Sequence, residues 1–216
     1  PNFPLPAPNN PQTFVVGGVT VGRYITPAET PAKKHIFTGR VDWTINEGQN
    51  ATFRYDSGRS NDLRAFNGVN RIEASLIGRV RNTDAFSATH NWVLSPSFVN
   101  QFRFQWSTLQ PSSAQAAGEL SPAVLVNFTG PAGQGGTQVF GSSTNSSDRA
   151  EDRLQFQNTS TFISGNHTFR FGGDFHHIDT LFTDRFDITG TYTFPNFAAF
   201  GQNQPSRYQQ NFDVTS

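Results

Sequence analysis

Asp174, His176, His177 and Asp179 stand close together in the run GGDFHHID, and imidazole and carboxylate groups are sound ligands for a transition metal. The run also alternates as a strand. Neighbouring side chains on a strand point to opposite faces, so only Asp174 and His176 share a side. Two ligands fall short of the three or four that a zinc-type site needs. The cluster Asp148, Arg149, Glu151, Asp152 and Arg153 reads as a solvated end of a connection, with local ion pairs. Gly130–Gly136 is glycine-rich, but no Lys-Ser or Lys-Thr follows it, so it does not read as a phosphate loop. Serine, histidine and aspartate are present without a Gly-x-Ser-x-Gly elbow. Asn-x-Ser/Thr triplets begin at Asn50, Asn127, Asn145, Asn158 and Asn166, two of them (Asn50 and Asn158) inside expected strands. With no cysteine there is no thiolate site, no cysteine nucleophile and no disulfide framework. The expectation is a protein without enzymatic activity and without a cofactor.

The elements that would carry these residues are strands. Arg153–His177 reads as two long strands joined by Ser164-Gly165-Asn166-His167, where Gly and Asn accept positive φ. Leu154, Phe156, Phe162, Phe169, Phe171 and Phe175 fall on one face. Arg153, Gln155, Gln157, Thr159, Thr161, Arg170, Asp174 and His176 fall on the other. The same unit occurs twice upstream. Phe37, Val41, Trp43 and Ile45 alternate with Thr38, Arg40, Asp42 and Thr44, then turn through Asn46–Gln49. The return strand sets Ala51, Phe53 and Tyr55 against Thr52, Arg54 and Asp56. The next unit sets Phe86, Ala88, His90 and Trp92, then Phe98, Phe102, Phe104 and Trp106, against Gln101, Arg103 and Gln105. Ile188–Phe194 alternates once more, and Phe197–Phe200 suits one helical turn. Long polar stretches, residues 57–83 and about 110–150, separate the units. Residues 1–34 are Pro- and Asn-rich and irregular, with room for one short strand, and residues 35–216 carry the repeated pattern.

Composition fits one-sided strands better than a thick core. Charged residues make up 15% of the 216 and hydrophobic residues 35%, yet 22 are Phe. Basic and acidic residues balance at 16 each, which gives no support for nucleic-acid binding. No apolar run approaches the ~20 residues of a spanning helix, and no signal peptide is visible at the start.

Three features make lipid the expected solvent of the aromatic face. None of the positions assigned to it is Asp, Glu, Lys or Arg, although His90, Asn100, Asn158, Ser160 and His177 also fall there, some of them expected at bulges or strand ends. Phe98–Trp106 and Phe169–His177 each keep one register long enough to meet the ~9–11 residues of a spanning strand. Aromatic residues gather at two levels: Trp43, Trp92, Phe98, Phe162 and Phe169 near the short turns, Tyr55 and Trp106 beside the long loops, as two membrane girdles would. The opposite face, with Arg40, Asp42, Arg54, Arg103, Arg153, Arg170 and Asp174, would then line a lumen. The expected fold is all-β: an antiparallel, up-and-down transmembrane barrel fragment. It would form an open curved sheet of about 6–8 long strands, with short turns on one side and long, poorly packed loops on the other.

TGRVDW (Thr38–Trp43), NWVLSPSFVNQFRF (Asn91–Phe104), GNHTFRFGGDF (Gly165–Phe175) and GTYTF (Gly190–Phe194) resemble the barrel of TonB-dependent receptors. The closest likeness is to the Oar-like type with a carboxypeptidase-regulatory domain, and it runs from about His35 onward. The resemblance implies neighbouring hairpins of a barrel of about 22 strands in the outer membrane of a Gram-negative bacterium. It also implies energy-coupled uptake of a scarce solute, and a plug domain and TonB as partners alongside membrane lipid. No plug, TonB box or terminal aromatic strand matches, so the chain is expected to be an internal slice of such a receptor. Two alternatives remain open on the residues alone. One is a small plug-less porin or adhesin barrel, which would need an eighth strand from residues 12–22 or 205–216. The other is a soluble β-sandwich binding module, which would have to bury its many Phe in a core without Met.

Overall fold

The computed structural model describes residues 7–16, 18–25, 27, 29–64, 71–72, 75–115, 121–129, 135–141 and 146–212. In chain order the elements are β1 (Asn10–Val16), β2 (Val19–Arg23), β3 (Ala32–Asn46), β4 (Gln49–Arg64), β5 (Ile77–Ser95), β6 (Phe98–Gln115), β7 (Ala123–Thr129), β8 (Gly135–Phe140), β9 (Ser147–Ser164), β10 (His167–Asp184), β11 (Thr191–Phe194), α1 (Phe197–Gly201) and β12 (Arg207–Gln209). Residues 130–134, within the Gly-rich run, and Asn145 lie outside the described residues.

Six strands form one antiparallel sheet in the order β10-β9-β6-β5-β4-β3. Two-residue turns join the three hairpins at Glu47-Gly48, Pro96-Ser97 and Gly165-Asn166, with Gly165 at φ 59°. Alternation of β-branched and aromatic with polar residues drives these strands, and each hairpin begins at a local turn signal. The sheet does not close into a barrel, and no second sheet packs on its aromatic face among the described residues. Phe37, Phe171 and Phe175 are 61%, 58% and 59% exposed. A soluble sandwich would cover those rings.

The strands overrun the expected boundaries. They contain 15 to 19 residues, twice the span of the continuous apolar register. At ~3.3 Å per residue, 18 residues cover about 60 Å, against about 30 Å of bilayer hydrocarbon. Much of the stretch 57–83 is therefore strand, paired from Ser57↔Asp84 to Arg64↔Ile77. These residues are mostly polar on both faces, but nothing in 57–64 or 77–83 breaks the backbone ladder.

The described parts of 110–150 are not a poorly packed loop either. Their β7 and β8 pair with each other, and β7 pairs in parallel with β11, giving a second sheet of order β12-β11-β7-β8. Ile188–Phe194 thus supplies no wall strand; Phe186–Thr189 is a turn and β11 belongs to the second sheet. Buried apolar side chains concentrate there: Val124, Val126, Phe140 and Phe194, with Ile72, Tyr192, Phe197 and Phe200 packed against them. Residues of the first long connection join in, since the Ser75 hydroxyl donates to the Gly141 carbonyl at 2.6 Å. Asn196 caps α1 by accepting from the Ala199 amide at 2.8 Å. All of these segments leave the six-stranded sheet at the end opposite the short turns, so the small sheet is a cap on that end.

Residues 10–23 form a separate hairpin, β1 with β2. Neither this hairpin nor β12 enters the six-stranded sheet, so the described parts of 12–22 and 205–216 supply no eighth wall strand.

Candidate membrane interface and polar wall

Register turns the alternation into continuous rows. Val41, Phe53, Ala88, Phe104, Phe156 and Phe175 are successive Cα partners across all six strands, an unbroken apolar row. The Phe104 and Phe156 rings stand 5.2 Å apart. The next row away from the short turns is Gly39, Tyr55, Phe86, Trp106, Leu154 and His177. The row beyond that changes character, with Ser57, Asp84, Thr108, Asp152 and Asp179 following Phe37. The charge-free zone is thus a band, bounded by Asp84, Asp152 and Asp179 on the same face. Tyr55 and Trp106 mark its far edge in mid-strand, not beside loops, because β4 and β6 continue well past them.

At the near edge the aromatics climb. Trp43 shares a row with His90, Trp92 lies two residues further toward the turns, and Phe98 two further again, level with Phe162 and Phe169. Four residues are about 14 Å along a strand, and five strand spacings about 24 Å, a slant of roughly 30°. Barrel strands tilt by a similar 35–45°.

The polar residues of this face are neither bulges nor strand ends. Asn100 and Asn158 exchange side-chain hydrogen bonds, Nδ2 to Oδ1 at 3.0 Å and Nδ2 to Oδ1 at 3.2 Å in return. Asn100 Nδ2 also donates to Ser160 Oγ at 2.9 Å, and Ser160 is buried. Two amides that satisfy each other carry far less desolvation cost than two open ones. Asn100→Ala is expected to destabilise the folded chain by about 1–3 kcal/mol through the orphaned Asn158, while replacing both by Leu is near neutral. Urea unfolding of the chain in lipid vesicles, followed by Trp fluorescence, measures both.

The opposite face carries every residue expected to line a lumen: Arg40, Asp42, Arg54, Arg103, Arg153, Arg170 and Asp174. Arg40 pairs with Asp42 at 2.8 Å, and Asp42 also accepts from Thr52 Oγ1 on β4 at 2.7 Å. The pattern repeats with Arg54 and Asp56 at 2.7 Å and Thr38 Oγ1 at 2.8 Å. Asp174 meets His176 at 3.1 Å and accepts from Gln155 Nε2 at 3.1 Å. Among the described residues Arg103 reaches only Gln157, at 3.5 Å, and Arg153 lies 3.8 Å from Glu151. Arg170 stands apart from these pairs, beside a shallow hollow of about 320 Å³ over Gly172 and Gly173. A Cβ at Gly172 would lie 2.1 Å from the Asn158 carbonyl oxygen, so only glycine fits that position. Exposed pairs of this kind contribute about 0–1 kcal/mol each, so the network sets polarity more than stability.

His177 and Asp179 lie on the aromatic face, away from Asp174 and His176. Among the described residues no group of three or more His, Asp or Glu side chains is placed to hold a metal ion. Two interactions were not legible in the sequence. Tyr55 Oη donates to Asp84 at 2.6 Å, and Arg59 pairs with the same carboxylate at 2.8 Å, tying the band edge together. Where the wall passes into the cap, Asp148 binds Arg185, and the Ser112 hydroxyl and then Arg185 hold the Asp148 carboxyl below its ordinary range.

Among curated proteins and solved structures, none matches this sequence. The family model described as outer membrane beta barrel domain matches residues 2–216. An open antiparallel sheet of long strands, one face a banded aromatic surface and the other a polar network, agrees with that match in architecture, and the chain belongs to the outer membrane beta barrel domain family and resides in the outer membrane.

Proposed function

We propose that the chain is part of the wall of a TonB-dependent transporter, its aromatic band against lipid and its polar face toward the interior. The charge-free band between two aromatic levels is the observation that carries the orientation. The strand-turn-strand motifs around Leu94–Asn100 and Gly165–Phe175 support the narrower family. In this reading the Arg40–Asp42, Arg54–Asp56 and Asp174–His176 pairs meet water, plug or passing solute, and none of them is catalytic. The cap lies on the outer surface, because barrels of this class put short turns inside and long connections outside. The test is solute uptake by whole cells that express the gene, with and without a working TonB. Uptake that survives loss of TonB overturns the energy-coupled reading.

A second reading is a porin or adhesin without a plug, favoured by the cap, whose own apolar cluster gives the outer surface a folded module for contact. Ion conductance across a planar bilayer without any energy source supports the porin.

A further inference from the structure

We propose that the aromatic face carries a contact for the phosphate of an anionic lipid headgroup, formed by Lys33, His35 and Arg59 at the outer edge of the band. It rests on the reading that this face meets lipid. His35 and Arg59 are direct Cα partners, and Lys33 lies two residues along β3 on the same face. Cross-strand neighbours stand about 5 Å apart and same-face neighbours on one strand about 7 Å, so one phosphate group can reach all three.

The placement matches the layers of a bilayer. Phe37 and Tyr55, with ring centroids 6.3 Å apart, sit immediately toward the short turns. Tyrosine and tryptophan settle at the glycerol and headgroup level, and cations one step further out meet phosphate. Arg59 is held in place, since its guanidinium bonds both Asp84 oxygens and the Thr83 carbonyl. Among the described residues Lys33 meets no carboxylate. One row nearer the short turns, level with Phe37, the face carries Asp152 on β9 and Asp179 on β10, Cα partners of like charge. Cations therefore gather on β3–β4, where Arg59 holds Asp84 of β5, and carboxylates on β9–β10, so anionic lipid belongs on the first arc.

Lys34 provides the control. It adjoins Lys33 in sequence but lies on the polar face. The full chain is to be floated with phosphatidylcholine vesicles, with and without phosphatidylglycerol, across a salt series. Phosphatidylglycerol is expected to strengthen association, and Lys33→Gln to remove roughly fivefold of that gain at low salt, the worth of one cation near an anionic surface. Lys34→Gln is expected to leave it unchanged. His35→Gln with Lys33→Gln removes more than either alone. Equal loss from Lys33→Gln and Lys34→Gln, or indifference to phosphatidylglycerol, overturns the proposal while leaving the membrane reading intact. Competition by inorganic phosphate as strong as by the lipid assigns the patch to free anions and overturns the lipid contact. A chain that floats with neither vesicle overturns the membrane reading itself.

Discussion

Phe104→Arg is expected to abolish or severely weaken insertion of the chain, whereas Gln105→Arg, one residue along, leaves it close to wild type. Phe104 lies in the row from Val41 to Phe175 that contains no polar side chain, and its ring packs against Phe86 at 6.2 Å and Phe156 at 5.2 Å. An arginine on the lipid face of a barrel near the midplane costs about 2–4 kcal/mol. Lost ring packing adds to that. Gln105 faces the other way, among Ser87 and Gln155, where a new guanidinium meets water and amides. Heat-modifiable migration on gels after refolding in detergent or vesicles reads both variants. Equal damage from the two would mean that both faces meet the same solvent, and the lipid assignment would fall.

Phe194→Ala is expected to unfold the cap and leave the six-stranded wall standing. Phe194 is 2% exposed and meets Phe200 edge-on at 5.2 Å, with Val124, Val126 and Phe140 around it. Truncating a buried Phe costs about 3–5 kcal/mol, which a cluster this small cannot absorb. The wall draws its stability from ladders of 15 to 19 residues that do not run through the cap. Trypsin added to intact cells should then cut at Arg185 and Arg207, while the gel signature of the folded wall persists. Loss of that signature together with the new cuts would show that cap and wall fold as one unit.

Much of the wall was legible because alternation is a property of neighbouring residues. Phe37-x-x-x-Val41-x-Trp43 against Arg40-x-Asp42 declares two faces whatever the strand pairs with, and Gly48, Pro96 and Gly165 declare the turns. The same reasoning sees only part of each strand. It stopped near Tyr55 and Trp106, where the apolar residues end, although the backbone ladder continues through Ser57–Arg64 and Ser107–Gln115. Pairing needs backbone groups and a partner strand, not apolar side chains. Asn100 and Asn158 looked like defects because each was judged alone; 58 positions apart in sequence, they become a hydrogen-bonded pair only in the register of β6 with β9. Thr52 beside Asp42, and Asp84 beneath Tyr55, depend on register in the same way.

By itself the sequence determined that this protein is built of two-faced hairpins, one face aromatic and uncharged over a membrane's thickness, the other polar. Each of those follows from residue type and a period of two, which act over a few positions. The tertiary structure alone decided how wide the charge-free band is, that its aromatic edge slants across the strands, and that the long connections build a cap. It also decided that β11 runs parallel to β7. These depend on which distant segments align and at what offset. That choice is made by the summed pairing and burial of whole strands, and no short stretch of sequence contains it.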